Sequence, residues 1–147
     1  MAKSFNFGVA PGHLIRRAQQ LAVSIFMEET AEFDVTPVQF AILSALIDDP
    51  GEDQVTLASH VAFDPATFGS VIGRLEAKGW VKRLADPHDK RRKLLWISDE
   101  GEHVALTMKR AVAKAQLRIM GPLQPDERVQ LAGLLEKLVA GHEKAAE

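Results

Sequence analysis

The 147-residue chain contains no cysteine, which excludes disulfides, thiolate zinc sites and thiol-based redox sensing together. No apolar run approaches the roughly 20 residues that a membrane-spanning helix needs. The opening MAKSFNFGVAPG lacks the basic-then-apolar order of a secretion signal, so a cytoplasmic protein without a membrane partner is expected. Catalytic signatures are missing too. There is no Gly-rich phosphate loop, no pair of catalytic carboxylates and no nucleophile motif; Ser24 and Ser44 fall in helical patterns without a recognisable base. His13, His60, His88, His103 and His142 share no ligand spacing, so neither a metal nor another cofactor is expected. What remains is a non-enzymatic single domain, 1–147, with enough apolar content for a core.

An overall positive charge is also lacking, the formal net charge being −2. Its distribution is uneven. Between Arg74 and Lys93, eight bases (Arg74, Lys78, Lys82, Arg83, Lys90, Arg91, Arg92 and Lys93) meet three acids (Glu76, Asp86 and Asp89), a local +5 on a remainder of −7. Concentrated positive charge on an acidic body is an electrostatic footprint for phosphate; a solvated charged hairpin is the plainer reading of the same residues.

Residues 74–101, RLEAKGWVKRLADPHDKRRKLLWISDEG, organise the rest. Gly79 follows an amphipathic helix tail and suits the left-handed position that ends helices. Trp80 to Leu84 and Lys93 to Ile97 are rich in Trp, Val, Leu and Ile and predict two strands around the charged turn ADPHDKRR. Ser98, followed by Asp99 and Glu100, is a helix N-cap signal. A two-stranded ribbon with a basic tip, hung directly on a helix, has the shape of a DNA-binding wing.

Before the ribbon, residues 1–10 read as irregular, with Phe5 and Phe7 as possible anchors, and a helix follows over His13 to Glu32. Its apolar stripe holds Leu14, Leu21 and Ile25, joined by Ala18 and Ala22. Thr36-Pro37 opens a second helix, the threonine as cap and the proline where its missing N–H costs nothing, running to Ile47 with Val38, Ala41, Ile42, Ala45 and Leu46 inward. DDPGEDQ reads as a plain loop and Thr56 as the cap of a short helix to Ala62. Asp64-Pro65 then opens a helix reaching Lys78. Two helices joined by three or four residues make a helix-turn-helix. The second buries Phe68, Val71, Ile72 and Leu75 and exposes Ala66, Thr67, Ser70, Gly73 and Arg74, a small polar face suited to a major groove. Gly69 and Gly73 weaken this helix, which fits either a close approach by a partner or helix-to-helix packing.

After the ribbon, a long helix runs from Ser98 to Met120, and Gln124-Pro125 begins the last one. The last helix carries Val129, Leu131, Leu134, Leu135, Leu138 and Val139, a stripe wide enough to predict burial against a second copy of the chain. The expected fold is mainly α with a small two- or three-stranded β-wing: a winged helix-turn-helix at about 36–98, flanked by dimerisation helices at about 11–33 and 105–145.

In this order of elements, TPVQFAILSAL, LASHVAFDPATFGSVIGRLEAKGWVKR and DPHDKRRKLLWISDEG make nearly the whole chain resemble the MarR family of winged helix-turn-helix regulators. The resemblance implies a homodimer on double-stranded DNA, with Ala66, Thr67, Ser70 and Arg74 on the recognition helix and His88, Lys90, Arg91 and Arg92 on the wing. Asp89 and Arg91 occupy the family's Asp-x-Arg, a pair expected to lock the wing while Arg91 approaches the minor groove or its phosphates. Two positions depart from the pattern. His88 stands where many relatives carry arginine, and Ser70 where a long basic residue is frequent, which leaves Arg74 as the long arm of that face.

The resemblance further implies that a small aromatic or phenolic acid is bound between the dimerisation helices and the winged domain. His13, Arg16 and Arg17, spaced i, i+3 and i+4, gather on one side of the first helix, and PGHLIRRAQQ is similar to the subgroup that governs aromatic-acid catabolism. Two readings stay open: a ligand-released repressor, and a ligand-independent or architectural DNA-binding protein.

Overall fold

Proline occupies the first turn of four helices: α1 (Pro11–Glu29), α2 (Pro37–Asp48), α4 (Pro65–Ala77) and α6 (Pro125–Ala145). Each start needs no donor there, and the residue before it is pushed into extended backbone, as a cap requires. Thr36 and Gln39 cap α2 reciprocally, the Thr36 hydroxyl oxygen accepting from Gln39 N at 3.2 Å and Gln39 Oε1 from Thr36 N at 3.1 Å. Between these lie α3 (Gln54–His60), the strands β1 (Glu52–Asp53), β2 (Val81–Ala85) and β3 (Lys93–Ile97), and α5 (Asp99–Ile119). The computed structural model describes residues 4–146, so the first three residues of the irregular lead lie outside the described residues, while Phe7–Val9 form a 3-10 turn.

Several boundaries differ from the sequence expectation. The first helix starts two residues earlier and stops at Glu29: Thr30 leaves helical backbone at φ −106° and ψ 15°, with its hydroxyl donating to the Phe26 carbonyl at 2.7 Å. A 3-10 turn over Ala31–Phe33 then ends at Asp34, whose φ is a left-handed 53°. DDPGEDQ is not a plain loop. Glu52 and Asp53 pair with Leu95 and Leu94, so the sheet has three antiparallel strands in the order β1-β3-β2. The cap of α3 is Asp53 rather than Thr56, which instead donates to it through both its N–H (3.0 Å) and its hydroxyl (2.6 Å). The helix α4 ends at Ala77, one residue short of Lys78, and Gly79 follows with the expected positive φ of 76°.

The core sits inside the winged unit. Ile42, Leu43 and Leu46 of α2 meet Leu57 of α3, Phe68, Ile72 and Leu75 of α4, and Leu95 of β3. Fully burying a side chain of this kind stabilises the fold by roughly 1.5–3 kcal/mol. A smaller cluster of Phe26, Val35 and Met108 joins α1 to α5. Ion pairs lengthen that junction: Arg118 reaches Glu29 at 2.7 Å and Glu28 at 2.9 Å, and Lys114 reaches Glu29 at 3.4 Å. The Arg118 guanidinium holds the Glu29 carboxyl below its ordinary range.

The last helix stands apart. None of its residues is buried, and Leu134, Leu135, Leu138 and Val139 remain 43–63% exposed. Much of the stripe expected on α1 is open as well, with Leu14, Ala18 and Leu21 exposed. Ala22 and Ile25 are half-buried, and only Phe26 is buried in this helix.

Candidate functional site

The helices α3 and α4 are joined by four residues, 61–64, in which Ala62 takes a left-handed φ of 53° and the Phe63 N–H closes on the Ala58 carbonyl at 3.0 Å. The Asp64 carboxylate caps α4 through Ala66 N at 3.2 Å. With Phe68, Val71, Ile72 and Leu75 buried, the opposite face presents Ala66, Thr67, Ser70, Gly73 and Arg74 to solvent. Both hydroxyls on it turn inward: Ser70 donates to the Thr67 carbonyl at 2.8 Å, and Thr67 lies 3.3–3.4 Å from Asp64 oxygens. A Cβ added at Gly73 would meet nothing within 4 Å, so contact within this chain does not explain the glycine.

The wing pairs β2 with β3 from Val81↔Ile97 to Ala85↔Lys93, leaving residues 86–92 as the tip. The tip is shaped by its own backbone. Asp86 N–H donates to the Arg92 carbonyl and Arg92 N–H to the Asp89 carbonyl, both at 2.9 Å, while the Asp86 side chain accepts from His88 N at 2.9 Å. The expected Asp89–Arg91 side-chain lock does not form. Asp89 Oδ1 accepts from the Arg91 backbone N–H at 3.0 Å, and this leaves the guanidinium outside the lock. The side-chain tie is made instead by Arg92, expected as a DNA contact, which reaches Asp53 at 2.8 Å and Asp86 at 3.8 Å.

One carboxylate therefore caps α3, sits on β1 and anchors the wing. The Thr56 hydroxyl, the Arg92 guanidinium and the Thr56 N–H together hold Asp53 well below the usual carboxylate range. A depressed folded value contributes stability that is fully present above the unfolded value of about 4 and is lost only as pH falls through the folded one. The tie persists across any physiological pH.

A second bolt lies one rung along the sheet. Glu52 and Arg83 both pair with Leu95, so the three share the inner face. Glu52 meets His60 of α3 at 2.8 Å, and Arg83 meets Glu76 of α4 at 2.7 Å. These contacts fix the wing relative to the recognition helix. They also divide the basic segment. Arg83 and Arg92 are structural, and Lys78 is held by Asp34 and the Trp80 ring, 4.5 Å from its centroid. Among the described residues, no ion pair engages Arg74, Lys82, Lys90, Arg91 or Lys93, which stay available to an external anion. His88 is exposed at the tip.

On α1, Arg16 Nη2 lies 3.2 Å from His13 Nδ1, and the Phe7 ring packs on His13 with centroids 4.5 Å apart. The three residues picked from spacing are thus only partly brought together, since Arg17 makes no part of that contact. A cavity of about 150 Å³ opens further along the helix, lined by Gln19, Ala22, Val23, Phe26, Pro37 and Gln116. Gln19 is one turn beyond Arg16 on the same stripe. Neither glutamine stood out in the sequence, because the cavity joins α1 to the far end of α5.

Comparison with known proteins adds three findings. The sequence model of the MarR family matches residues 33–92. NicR, an HTH-type transcriptional repressor of Pseudomonas putida, is 31% identical over 134 residues, 91% of this chain and 85% of that one. Among solved structures, Bordetella bronchiseptica BpsR, whose DNA binding is regulated by 6-hydroxynicotinic acid, superposes with a TM-score of 0.88 at 32% identity, covering 93% and 98% of the two chains. PcaV of Streptomyces coelicolor, solved with its natural ligand, gives 0.85 at 32% identity over 99% of both.

Proposed function

The chain belongs to the MarR family of transcriptional regulators, and from that premise we propose that it acts as a homodimeric repressor released from a pseudo-palindromic operator by a small aromatic or phenolic carboxylate. The observation that carries the DNA half is the exposed small face of α4 beside a wing whose unpaired cations, among the described residues, are Lys82, Lys90, Arg91 and Lys93. In a dimer, two such helices enter successive major grooves and the wings reach the flanking minor grooves. Ala66, Thr67, Ser70 and Arg74 face the bases and phosphates. Arg91 and Lys90 contact the backbone, with His88 at the tip. Asp89 holds Arg91 by its backbone, and Arg92 acts one step back, through Asp53.

Arg91→Ala is expected to weaken binding to all duplexes alike and to lower the slope of log affinity against log salt by about 1. Anisotropy titrations at several KCl concentrations measure this; an unchanged slope contradicts a phosphate contact.

The effector half is supported by the relatives and by the layout of α1. In BpsR a hydroxylated aromatic acid regulates DNA binding, and here Arg16 offers a planar fork for a carboxylate one turn from a partly apolar crevice. Ala22, Val23, Phe26 and Pro37 give this open crevice an apolar wall for a ring, and Gln19 and Gln116 give it polar groups. Driving the DNA-competent population from 99:1 to 1:99 requires about 5.5 kcal/mol of differential affinity, roughly half per protomer of a dimer. Ring burial together with an arginine–carboxylate pair reaches that scale. The test is calorimetry of the protein with benzoate-type and hydroxynicotinate-type acids, paired with release of bound duplex. Arg16→Ala is expected to abolish release while DNA affinity is retained. Normal release by that variant removes the anchor, and no binding by any acid favours the ligand-independent reading.

A further inference from the structure

The recognition helix carries no side chain able to read a base by paired hydrogen bonds over its first two turns. Direct readout in the major groove ordinarily uses arginine or lysine on guanine, asparagine or glutamine on adenine, and methyl groups on the thymine 5-methyl. From Ala66 to Gly73 the exposed positions hold Ala66, Thr67, Ser70 and Gly73, so the first two kinds of contact are absent there. The hydroxyl of Ser70 is turned onto the Thr67 carbonyl, and that of Thr67 lies against Asp64. With their protons turned to the helix, these two hydroxyls keep only acceptor lone pairs, and the rest of what the face offers outward is the methyl groups of Ala66 and Thr67 and bare backbone.

The second observation is Gly73. A mid-helix glycine costs about 1 kcal/mol relative to alanine, and this one has open space where a Cβ would stand. Nothing within the chain requires it, whereas a helix that must lie against base edges with only methyl-length side chains does. Arg74 is the one long exposed side chain of this face and has no ion pair among the described residues.

We propose that this protein recognises its half-sites chiefly through thymine methyl groups contacted by Ala66 and Thr67, with Gly73 permitting the close approach and Arg74 positioning the helix. The inference rests on the DNA-binding reading above and deepens it. It assigns Thr67 as a specificity-determining residue and makes the half-sites thymine-rich under α4.

The experiment uses the full-length protein and a duplex enriched from a random pool. Thymines in each half-site are replaced singly by deoxyuridine, which removes the 5-methyl group and keeps the pairing. The expected result is a loss of about fourfold per contacted methyl, the scale of burying one methyl-sized group. Thr67→Ser, which deletes only the protein's methyl, is expected to cancel the penalty at one thymine. Gly73→Ala is expected to raise the melting temperature while weakening DNA affinity, a pairing of effects that a purely structural glycine does not give. Affinities within twofold for every uridine duplex, or a Gly73→Ala protein that binds DNA as tightly as wild type, overturn the proposal and leave the DNA-binding reading intact. Failure to enrich any duplex overturns both.

Discussion

Replacing Leu134 and Leu138 with aspartate is expected to convert the protein into a folded monomer that binds its operator more than 100-fold more weakly. Both leucines lie on α6, exposed by 63% and 46% on the isolated chain, in a helix with no buried residue at all. An amphipathic helix this long gains little from propensity alone and keeps its form by burying its apolar face. Each leucine buried in a dimer contributes roughly 1.5–3 kcal/mol, and an unpaired carboxylate in its place opposes association outright. The effect on DNA is larger than the local contact because two linked half-site contacts commonly exceed one by 10²–10⁴ in affinity. Sedimentation separates the oligomeric change from unfolding, and circular dichroism checks that the core of α2 to α5 persists. A double variant that still sediments as a dimer contradicts the assignment of this face.

The second large effect is expected at Gly101. This residue is buried at the third position of α5, where Ser98 Oγ accepts its N–H at 3.1 Å and donates to the Gly79 carbonyl at 2.7 Å. A Cβ at Gly101 would lie 2.4 Å from the Trp80 carbonyl oxygen and 3.0 Å from its Cα. Those are backbone atoms, held in turn by Ser98 N–H donating to the same carbonyl at 2.9 Å and by Trp80 N–H donating to Leu75 at 3.0 Å. The clash cannot be relieved by rotating a side chain. Gly101→Ala is therefore expected to destabilise by about 3 kcal/mol, the upper range for overpacking, although alanine is the better helix former. For a chain of this length that corresponds to a fall of about 10 °C in melting temperature. Gly73→Ala, at a position with open space, should move the other way. A neutral Gly101→Ala would show that the wing and α5 are less tightly joined than the contacts require. The glycine that closes DPHDKRRKLLWISDEG is thus explained by the close passage of Trp80.

The opposite signs expected at these two glycines mark how far the sequence could be read. Helices announced by proline and a cap were legible because the signal is local: Thr36-Pro37, Asp64-Pro65, Ser98 and Gln124-Pro125 all start helices where expected. The inward face of α4 was legible for the same reason, its apolar residues recurring at helical spacing. The strand β1 was not. Glu52 and Asp53 have no strand propensity, and their pairing is made by Leu94 and Leu95, some 40 positions away.

The cap of α3 was misplaced because Asp53 and Thr56 are both good capping residues three apart, and only the fold shows that the carboxylate accepts from the threonine. The wing lock illustrates a sharper limit. Arg91 and Arg92 are neighbours in an irregular turn, so which guanidinium turns back to Asp53 depends on a partner that spacing cannot show. The contact between His13 and Arg16 was legible from their spacing, while Arg17 stays outside it and the cavity further along is built from three helices distant in the chain.

Selection of bound duplexes from a random pool, followed by sedimentation of the complex, tests most directly whether two copies of this chain read DNA together through α4 and the wing. The predicted result is a pseudo-palindrome with half-sites centred about one helical turn apart, occupied by two chains, whose flanking base pairs become open to nuclease when Arg91 is replaced by alanine. A single chain bound to an asymmetric sequence, or no enrichment above the starting pool, would contradict it.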